Sequence, residues 1–314
     1  MSTALPRLTN ARAPLTREVE TVNEHGERDV VSIPAERALT VYVDKRELVT
    51  LMTLGAHPEL LVLGFLRNQR LVKSVSEIES ITVDWDVGAA AVKTFKGIAN
   101  LAEKTSKRVV TTGCGQGSVF GDMMDEVDSI RLPEASLTQA QFYGITNAIR
   151  LQESTYKSAG SVHGCALFCV RQAGPQMMIF VEDVGRHNAI DTIAGWMWMQ
   201  DIAPTLSTSC DALPPEGARF ALGRPGGETS EPVPGLVFYT TGRLTSEMVI
   251  KSAQMGVPIV VSRSGITQMG HEVAQRLGLC TVGRATNRHF LCYTGAHRLV
   301  LQPELAGARL RSVA

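Results

Sequence analysis

The sequence predicts an α/β protein in which a smaller β-rich unit precedes a larger α/β unit, and three observations predict it. From Gly235 the stretch "GLVFYTTGRLTSEMVIKSAQMGVPIVVSRSGITQMGHEVAQRLGLCTVG" alternates short apolar runs with amphipathic segments, the signature of βαβα units around a parallel sheet. In the first third, from Ala38, apolar and polar residues alternate instead with the two-residue period of strands. Pro133 marks the break between the two regimes. At 314 residues and 44% hydrophobic content, the chain holds one large or two ordinary domains and can bury a sizeable core.

In chain order, residues 1–37 are polar and irregular and read as a partly ordered arm. "ALTVYVDKRELVTLMT" reads as a strand pair turning at Asp44-Lys45. "HPELLVLGFLRNQRLV" then places apolar residues at helical spacing after a proline, and "SEIESITVDWDVGAAAVKTF" returns to strand alternation. This β-rich unit covers residues 38–132 and ends in the glycine-rich loop "TTGCGQG" around Cys114. The α/β unit covers 133–314. Its first segment, "SLTQAQFYGITNAIRLQES", is helical, with Ser136 and Gln139 spaced as a capping box and Phe142, Ile145 and Ile149 on one face. "CALFCV" and "QMMIFVED" flank the turn-like "RQAGPQ" as a hairpin, and "NAIDTIAGWMWMQ" is helical. Residues 203–235 concentrate Pro, Gly and Ser and read as a long inserted surface loop.

Thirty-one Lys and Arg balance thirty-one Asp and Glu, so no global field draws in nucleic acid or an anionic membrane, and any anion site has to be built locally. No apolar run reaches transmembrane length, and the first forty residues lack an apolar core and a cleavage signature, so the protein is expected in the cytoplasm. Six scattered cysteines in a chain of this length read as reduced thiols. Cys165 and Cys169, with His163, are followed by no second ligand pair, so no metal site is expected.

In such sheets ligands gather at the carboxyl ends of strands, where helix N-termini offer free N–H groups to anions. Two strand-to-helix loops fit: "TTGRLTSE", with Arg243 and Thr245, and "SRSGITQ", with Arg263, Ser264 and Thr267. Ordinary capping explains either alone, and the pair together points to a phosphate-bearing ligand. A third segment, "GRATNRHF", reads either as a solvated hairpin turn or as an anion-binding loop. "EDVGRHNAID" is the densest polar cluster, readable as a helix cap with a surface ion pair or as a site where a carboxylate orients an imidazole or pins an arginine. His163, in "GSVHG", reads as a structural histidine. Cys114 lies between Gly113 and Gly115, whose freedom lets a thiol meet two partners in turn, as a sulfur carrier must; the alternative is an incidental small residue in a loop.

Taken together, "EDVGRHNAID", "GSVHGCAL", "TTGRLTSEMVIKSAQMGVPIVVSRSG" and the Cys114 loop closely resemble the formate dehydrogenase accessory sulfurtransferase family, FdhD, from about residue 38 to residue 300. The resemblance implies a cytosolic homodimer that accepts sulfur from a cysteine desulfurase as a persulfide. It implies transfer of that sulfur to the molybdenum bis(molybdopterin guanine dinucleotide) cofactor, the bound substrate, which then enters formate dehydrogenase. It further implies a three-layer carboxyl-terminal domain similar to cytidine deaminase. By position Cys114 matches the persulfide cysteine, and Arg284, Ala285, Thr286, Asn287, Arg288 and His289 match the cofactor-binding segment. Many members carry Cys-x-x-Cys in the loop, and Gly117 stands here in place of the second cysteine. One thiol still suffices for each exchange step. Two other readings are a cofactor-binding chaperone that handles no sulfur and a zinc-dependent deaminase. The latter needs His/Cys-x-Glu and Pro-Cys-x-x-Cys, and "HGC" lacks the glutamate while no PCxxC occurs.

Overall fold

The computed structural model describes residues 5–98, 127–202 and 235–305. Short strand β1 (Arg7–Leu8) precedes a hairpin of β2 (Thr16–Val22) and β3 (Arg28–Pro34), then β4 (Arg37–Val43), β5 (Arg46–Thr53), helix α1 (Pro58–Asn68), β6 (Ile78–Asp84) and β7 (Ala89–Thr94). Beyond residue 127 come β8 (Leu137–Thr138), α2 (Gln139–Leu151), α3 (Thr155–Ala159), β9 (His163–Arg171), β10 (Gly174–Asp183) and α4 (Arg186–Met199). Then follow β11 (Gly235–Thr240), α5 (Ser246–Gln254), β12 (Ile259–Ser262), α6 (Gln268–Leu277), β13 (Cys280–Thr286), β14 (His289–Thr294) and β15 (Leu299–Val300).

The first sheet runs β1-β6-β7-β4-β5. Its β4–β5 hairpin turns where the sequence places it, with Asp44 at φ 46° and Lys45 at φ 73°, two left-handed residues that match the twist of the strands. The Asp44 carboxylate also accepts bonds from the Thr94 backbone N–H (3.0 Å) and hydroxyl (2.7 Å), tying the turn to β7. Leu39, Val41 and Leu51 of this sheet pack on Leu61, Leu63 and Leu66 of α1. The β2–β3 hairpin falls in the stretch read as an irregular arm. Its apolar residues bury little, Val22 and Val30 staying 64% and 55% exposed, so the alternation carried no core signal.

The second sheet runs β10-β9-β11-β12-β13-β14, with β11, β12 and β13 parallel and antiparallel strands on both flanks. Helices α4, α5 and α6 cover one face through Ile190, Ile193, Met248, Val249 and Val273. Helix α2 covers the other through Phe142 and Ile145, which meet Phe168, Val237 and Val261. The result is the three-layer α/β arrangement expected of the second unit. Helix α2 begins two residues later than its sequence suggests, with Thr138 and Gln141 forming the capping box in place of Ser136 and Gln139. The reason is tertiary: Leu137 and Thr138 pair with Leu299 and Val300, which keeps the chain extended through residue 138.

The two sheets are joined by helices α1 and α4, which cross at Gly64 and Gly195. A Cβ on Gly64 would sit 1.6 Å from the Asp191 carbonyl oxygen, and one on Gly195 would sit 2.0 Å from the Leu60 carbonyl oxygen. Backbones this close admit no side chain. Trp198 and Met199, at the end of α4, reach into the core of the first unit. Among the described residues no helix is long and apolar enough to cross a membrane.

Candidate functional site

The polar cluster of "EDVGRHNAID" is buried rather than a surface cap, and most of it binds the units together. Asp183 accepts the hydroxyl of Thr53 and the backbone N–H groups of Leu54 (3.1 Å) and Gly185 (3.0 Å). Asn188 donates both to Asp183 (2.8 Å) and to the Met52 carbonyl (2.6 Å). One turn further on, Asp191 accepts from Asn68 of α1 (2.7 Å) and from Lys251 of α5 (3.0 Å), and Lys251 also pairs with Glu247 (3.1 Å). Burial lifts the Asp183 and Asp191 carboxyls above the ordinary range. Burial acts to lower Lys251, but the carboxylates of Asp191 and Glu247 outweigh it and raise the ammonium.

His187 lies in the same cluster, its Nδ1 3.5 Å from Glu247, and burial depresses its pKa to about 3. Below pH 6.5 the unfolded imidazole takes up a proton that the folded one refuses until about pH 3, so stability falls as pH falls through that window. From pH 7 to pH 5 the wild type is expected to lose about 2 kcal/mol more stability than His187→Gln. Asp183 and Asp191, whose raised carboxyls act in the opposite sense, are common to both proteins and cancel in that difference. Parallel urea-unfolding curves at the two pH values would refute the neutral buried imidazole.

Glu182 is the member of the cluster that faces outward. Its carboxylate accepts the backbone N–H groups of Thr155 (2.5 Å) and Tyr156 (3.1 Å), which fixes the start of α3 beside β10. From there it lines a cavity of about 800 Å³ over the carboxyl ends of the strands. The lining combines one side of α2 (Tyr143, Thr146, Asn147, Arg150) and the α3 region (Ser154, Tyr156, Lys157) with Gly164, Phe180, Tyr239, Thr241 and Arg263. The β13–β14 turn contributes Ala285, Thr286, Asn287 and Arg288. Among the described residues, four cations and one carboxylate therefore line it: Arg150, Lys157, Arg263 and Arg288 against Glu182. In a chain of zero formal charge this is the local concentration of positive charge that an anion requires. Three of the chain's five tyrosines stand there with Phe180, and these rings offer stacking faces to a planar ligand. Burial pushes Tyr239 to about 12, so its phenol stays neutral.

The turn is held against α2. Tyr143 donates its hydroxyl to the Arg288 carbonyl (3.1 Å), Thr146 donates to the Asn287 carbonyl (3.3 Å), and the Arg288 guanidinium lies 5.9 Å from the Tyr143 ring centre. Asn287, at φ 52°, takes the left-handed conformation that a tight turn needs. "GRATNRHF" is thus a hairpin turn, as one of its two readings has it, and four of its residues line the cavity. Of the six residues expected to bind, Ala285, Thr286, Asn287 and Arg288 face the cavity, while Arg284 and His289 stand beside it on β13 and β14.

The strand-to-helix loops divide in the same way. Thr241 and Arg263 reach the cavity, whereas Arg243 and Thr245 do not; Thr267 caps α6 through Gly270 N–H (3.2 Å), and Ser264 donates to the Thr241 carbonyl (2.9 Å). His163 opens β9 half-buried, its pKa lowered by burial and by the nearby Arg186 and Arg243. Cys165 is buried in the sheet, donates to Thr240 (3.3 Å) and is pushed up to about 12, an inert core thiol. Cys165, Cys280 and Cys292 are free thiols, whereas Cys169 is disulfide-bonded, which departs from the all-thiol expectation. Cys114 lies outside the described residues, as does the 203–235 insertion apart from Gly235.

Tyr143, Thr146, Asn147 and Arg150 were not singled out from sequence. Their spacing of three, one and three residues places them on one helical side, a signal that goes unread without a second element opposite.

A model of the FdhD/NarQ family matches residues 34–210 and 227–300. Relatives called sulfur carrier protein FdhD include one from Bacillus subtilis, 28% identical over 271 residues, covering 84% of this chain and 88% of that one. Another, from Listeria innocua, is 28% identical over 272 residues, covering 85% of this chain and 91% of that one. A crystal structure titled as a formate dehydrogenase accessory protein from Desulfotalea psychrophila superposes with a TM-score of 0.67 at 22% identity, covering 91% of this chain and all of that one, and so shares the fold.

Proposed function

The chain belongs to the FdhD/NarQ family, and from that premise we propose that it is a sulfur carrier, a cytoplasmic homodimer that works through a cysteine persulfide. In this reading a cysteine desulfurase supplies the sulfur. The Cys114 thiolate attacks the outer sulfur of the donor persulfide, forming a new S–S bond as the donor thiolate leaves. The S–S bond of that persulfide then breaks with the Cys114 thiolate as leaving group, and its outer sulfur, at the zero oxidation level, passes to the molybdenum bis(molybdopterin guanine dinucleotide) cofactor, a substrate held for delivery to formate dehydrogenase. The deaminase-like fold of the second unit is part of the same reading, with no zinc chemistry attached to it.

The observation that carries the ligand assignment is the cavity lining. A guanine dinucleotide presents phosphates, which a neutral protein binds only with localised cations, and a flat purine, which aromatic rings stack upon. Arg150, Lys157, Arg263 and Arg288 supply the former, and Tyr143, Tyr156, Phe180 and Tyr239 the latter. Thr241, Arg263 and the 285–288 turn come from three separate loops that line this one cavity, which supports the reading.

Calorimetric titration with guanosine diphosphate tests the assignment. Arg263→Ala and Arg288→Ala are each expected to weaken binding about tenfold, the loss of one charge-assisted contact of about 1.4 kcal/mol. Arg284→Ala, beside the cavity rather than in it, is expected to change affinity less. If Arg263→Ala and Arg288→Ala both bind as the wild type does, the cavity is not the nucleotide site.

A further inference from the structure

At the end of the β13–β14 ladder away from the cavity-lining turn, two of the free thiols meet. Cys280 starts β13 in the core, fully buried, and Cys292 lies on β14 at intermediate exposure. The register pairs Val282 with Cys292 and Thr281 with Thr294, leaving Tyr293 as an extra residue. Because alternate residues share a face, Cys280 and Val282 project to the same side, and Cys292 stands diagonally across from Cys280. The two side chains share that face of the strand pair, and the Cys292 thiol donates to the Thr294 carbonyl (3.2 Å).

Two further features set the pair apart from packed core cysteines. Gly295 follows, with a Cβ there placed only 2.7 Å from the Cys280 Cα, so the glycine leaves the space in which the strands close up at this point. Cys292 also opens on a shallow surface recess of about 430 Å³, lined with Gly278, Tyr293, Gly295 and His297, through which a small reagent reaches the sulfur. The neighbouring Cys280 thiol holds Cys292 below the ordinary cysteine value, while Cys292, followed by burial, raises Cys280. The exposed sulfur is thus the nucleophile and the buried one is held in reserve.

We propose that Cys280 and Cys292 form a redox-active dithiol that reacts with disulfides of low-molecular-weight thiols, such as glutathione disulfide, Cys292 attacking and Cys280 resolving. The Cys292 thiolate attacks one sulfur of the external disulfide, forming a protein–glutathione S–S bond and expelling one glutathione thiolate. Cys280, losing its proton, attacks the Cys292 sulfur; the Cys280–Cys292 bond forms and the second glutathione leaves. Two protein thiols are oxidised, one external disulfide is reduced to two thiols, and the two protons pass to the leaving thiolates. The product bridges β13 and β14, the strands whose connecting turn lines the large cavity. Nothing in this site depends on what that cavity binds.

The full-length protein, reduced and then freed of reductant, is incubated with glutathione disulfide, alkylated and digested without reduction for peptide mass mapping. Wild type is expected to yield a peptide pair joined through Cys280 and Cys292. Cys280→Ser is expected to stop at the mixed disulfide, one glutathione retained on Cys292, and Cys292→Ser to leave Cys280 as a free thiol. Wild type in which both cysteines stay alkylatable overturns the proposal, as does wild type in which the mixed disulfide on Cys292 persists without resolving. The wild-type map decides the question even where a variant folds poorly.

Discussion

Gly64→Ala is expected to cost about 3 kcal/mol or more of stability, a large share of the roughly 5–15 kcal/mol that holds a domain folded. The added methyl would fall 1.6 Å from the Asp191 carbonyl oxygen, a backbone atom of the facing helix that cannot rotate away. Relief requires α1 and α4 to separate, and that motion disturbs more than van der Waals contact. Asp191 on α4 accepts from Asn68 on α1 and from Lys251 on α5, so a displaced α4 strains a buried ion pair with no water to replace it. Gly195→Ala, facing Leu60 in the same crossing, is expected to behave alike. Gly278→Ala provides the contrast: that residue has φ +63° and nothing within 4 Å of the added atom, so only backbone strain of about 1 kcal/mol applies. Thermal or urea unfolding measures all three, and comparable losses at Gly64 and Gly278 would refute the close-packed crossing.

The elements around β11 and β12 were legible because each carries its own punctuation. Apolar runs of six and four residues end in glycine and hydroxyl residues, and helices of 3.6-residue period follow. What sequence does not carry is which polar residues a neighbouring element buries. Nothing in the spacing of Glu247 and Lys251, four residues apart on a helix, sets them apart from a solvated pair, yet Lys251 is 1% exposed because α4 lies against it and supplies Asp191. The same blindness made the "EDVGRHNAID" cluster look like a surface cap. The site was half legible for a related reason. Loop residues such as Arg263 and Arg288 declare themselves by type and position, whereas Tyr143, Tyr156, Phe180 and Tyr239 become a stacking wall only when four separate elements converge.

Cys114→Ala is expected to abolish sulfur loading at residue 114 and to lower activation of formate dehydrogenase by about a hundredfold or more, as loss of a sole nucleophile does. The loop from Thr111 to Gly117 holds a single thiol. With Gly117 where many family members carry a second cysteine, the loop itself offers no second thiol to take over the persulfide or cap it as a local disulfide. Each transfer step still needs only one nucleophile and one leaving thiolate, so a single cysteine completes the cycle. Cys165 is no substitute, because burial pushes its pKa up to about 12 and no partner reaches it. Incubation with a cysteine desulfurase and cysteine, followed by intact-mass and peptide measurement, gives the readout: one added sulfur on the Cys114 peptide of the wild type and none in the variant. Mapping also separates this sulfur from any taken up at Cys292. A variant that loads no sulfur yet fully activates its target would show that the protein only binds and delivers the cofactor, and equal loading in both proteins would move the carrier role to another cysteine.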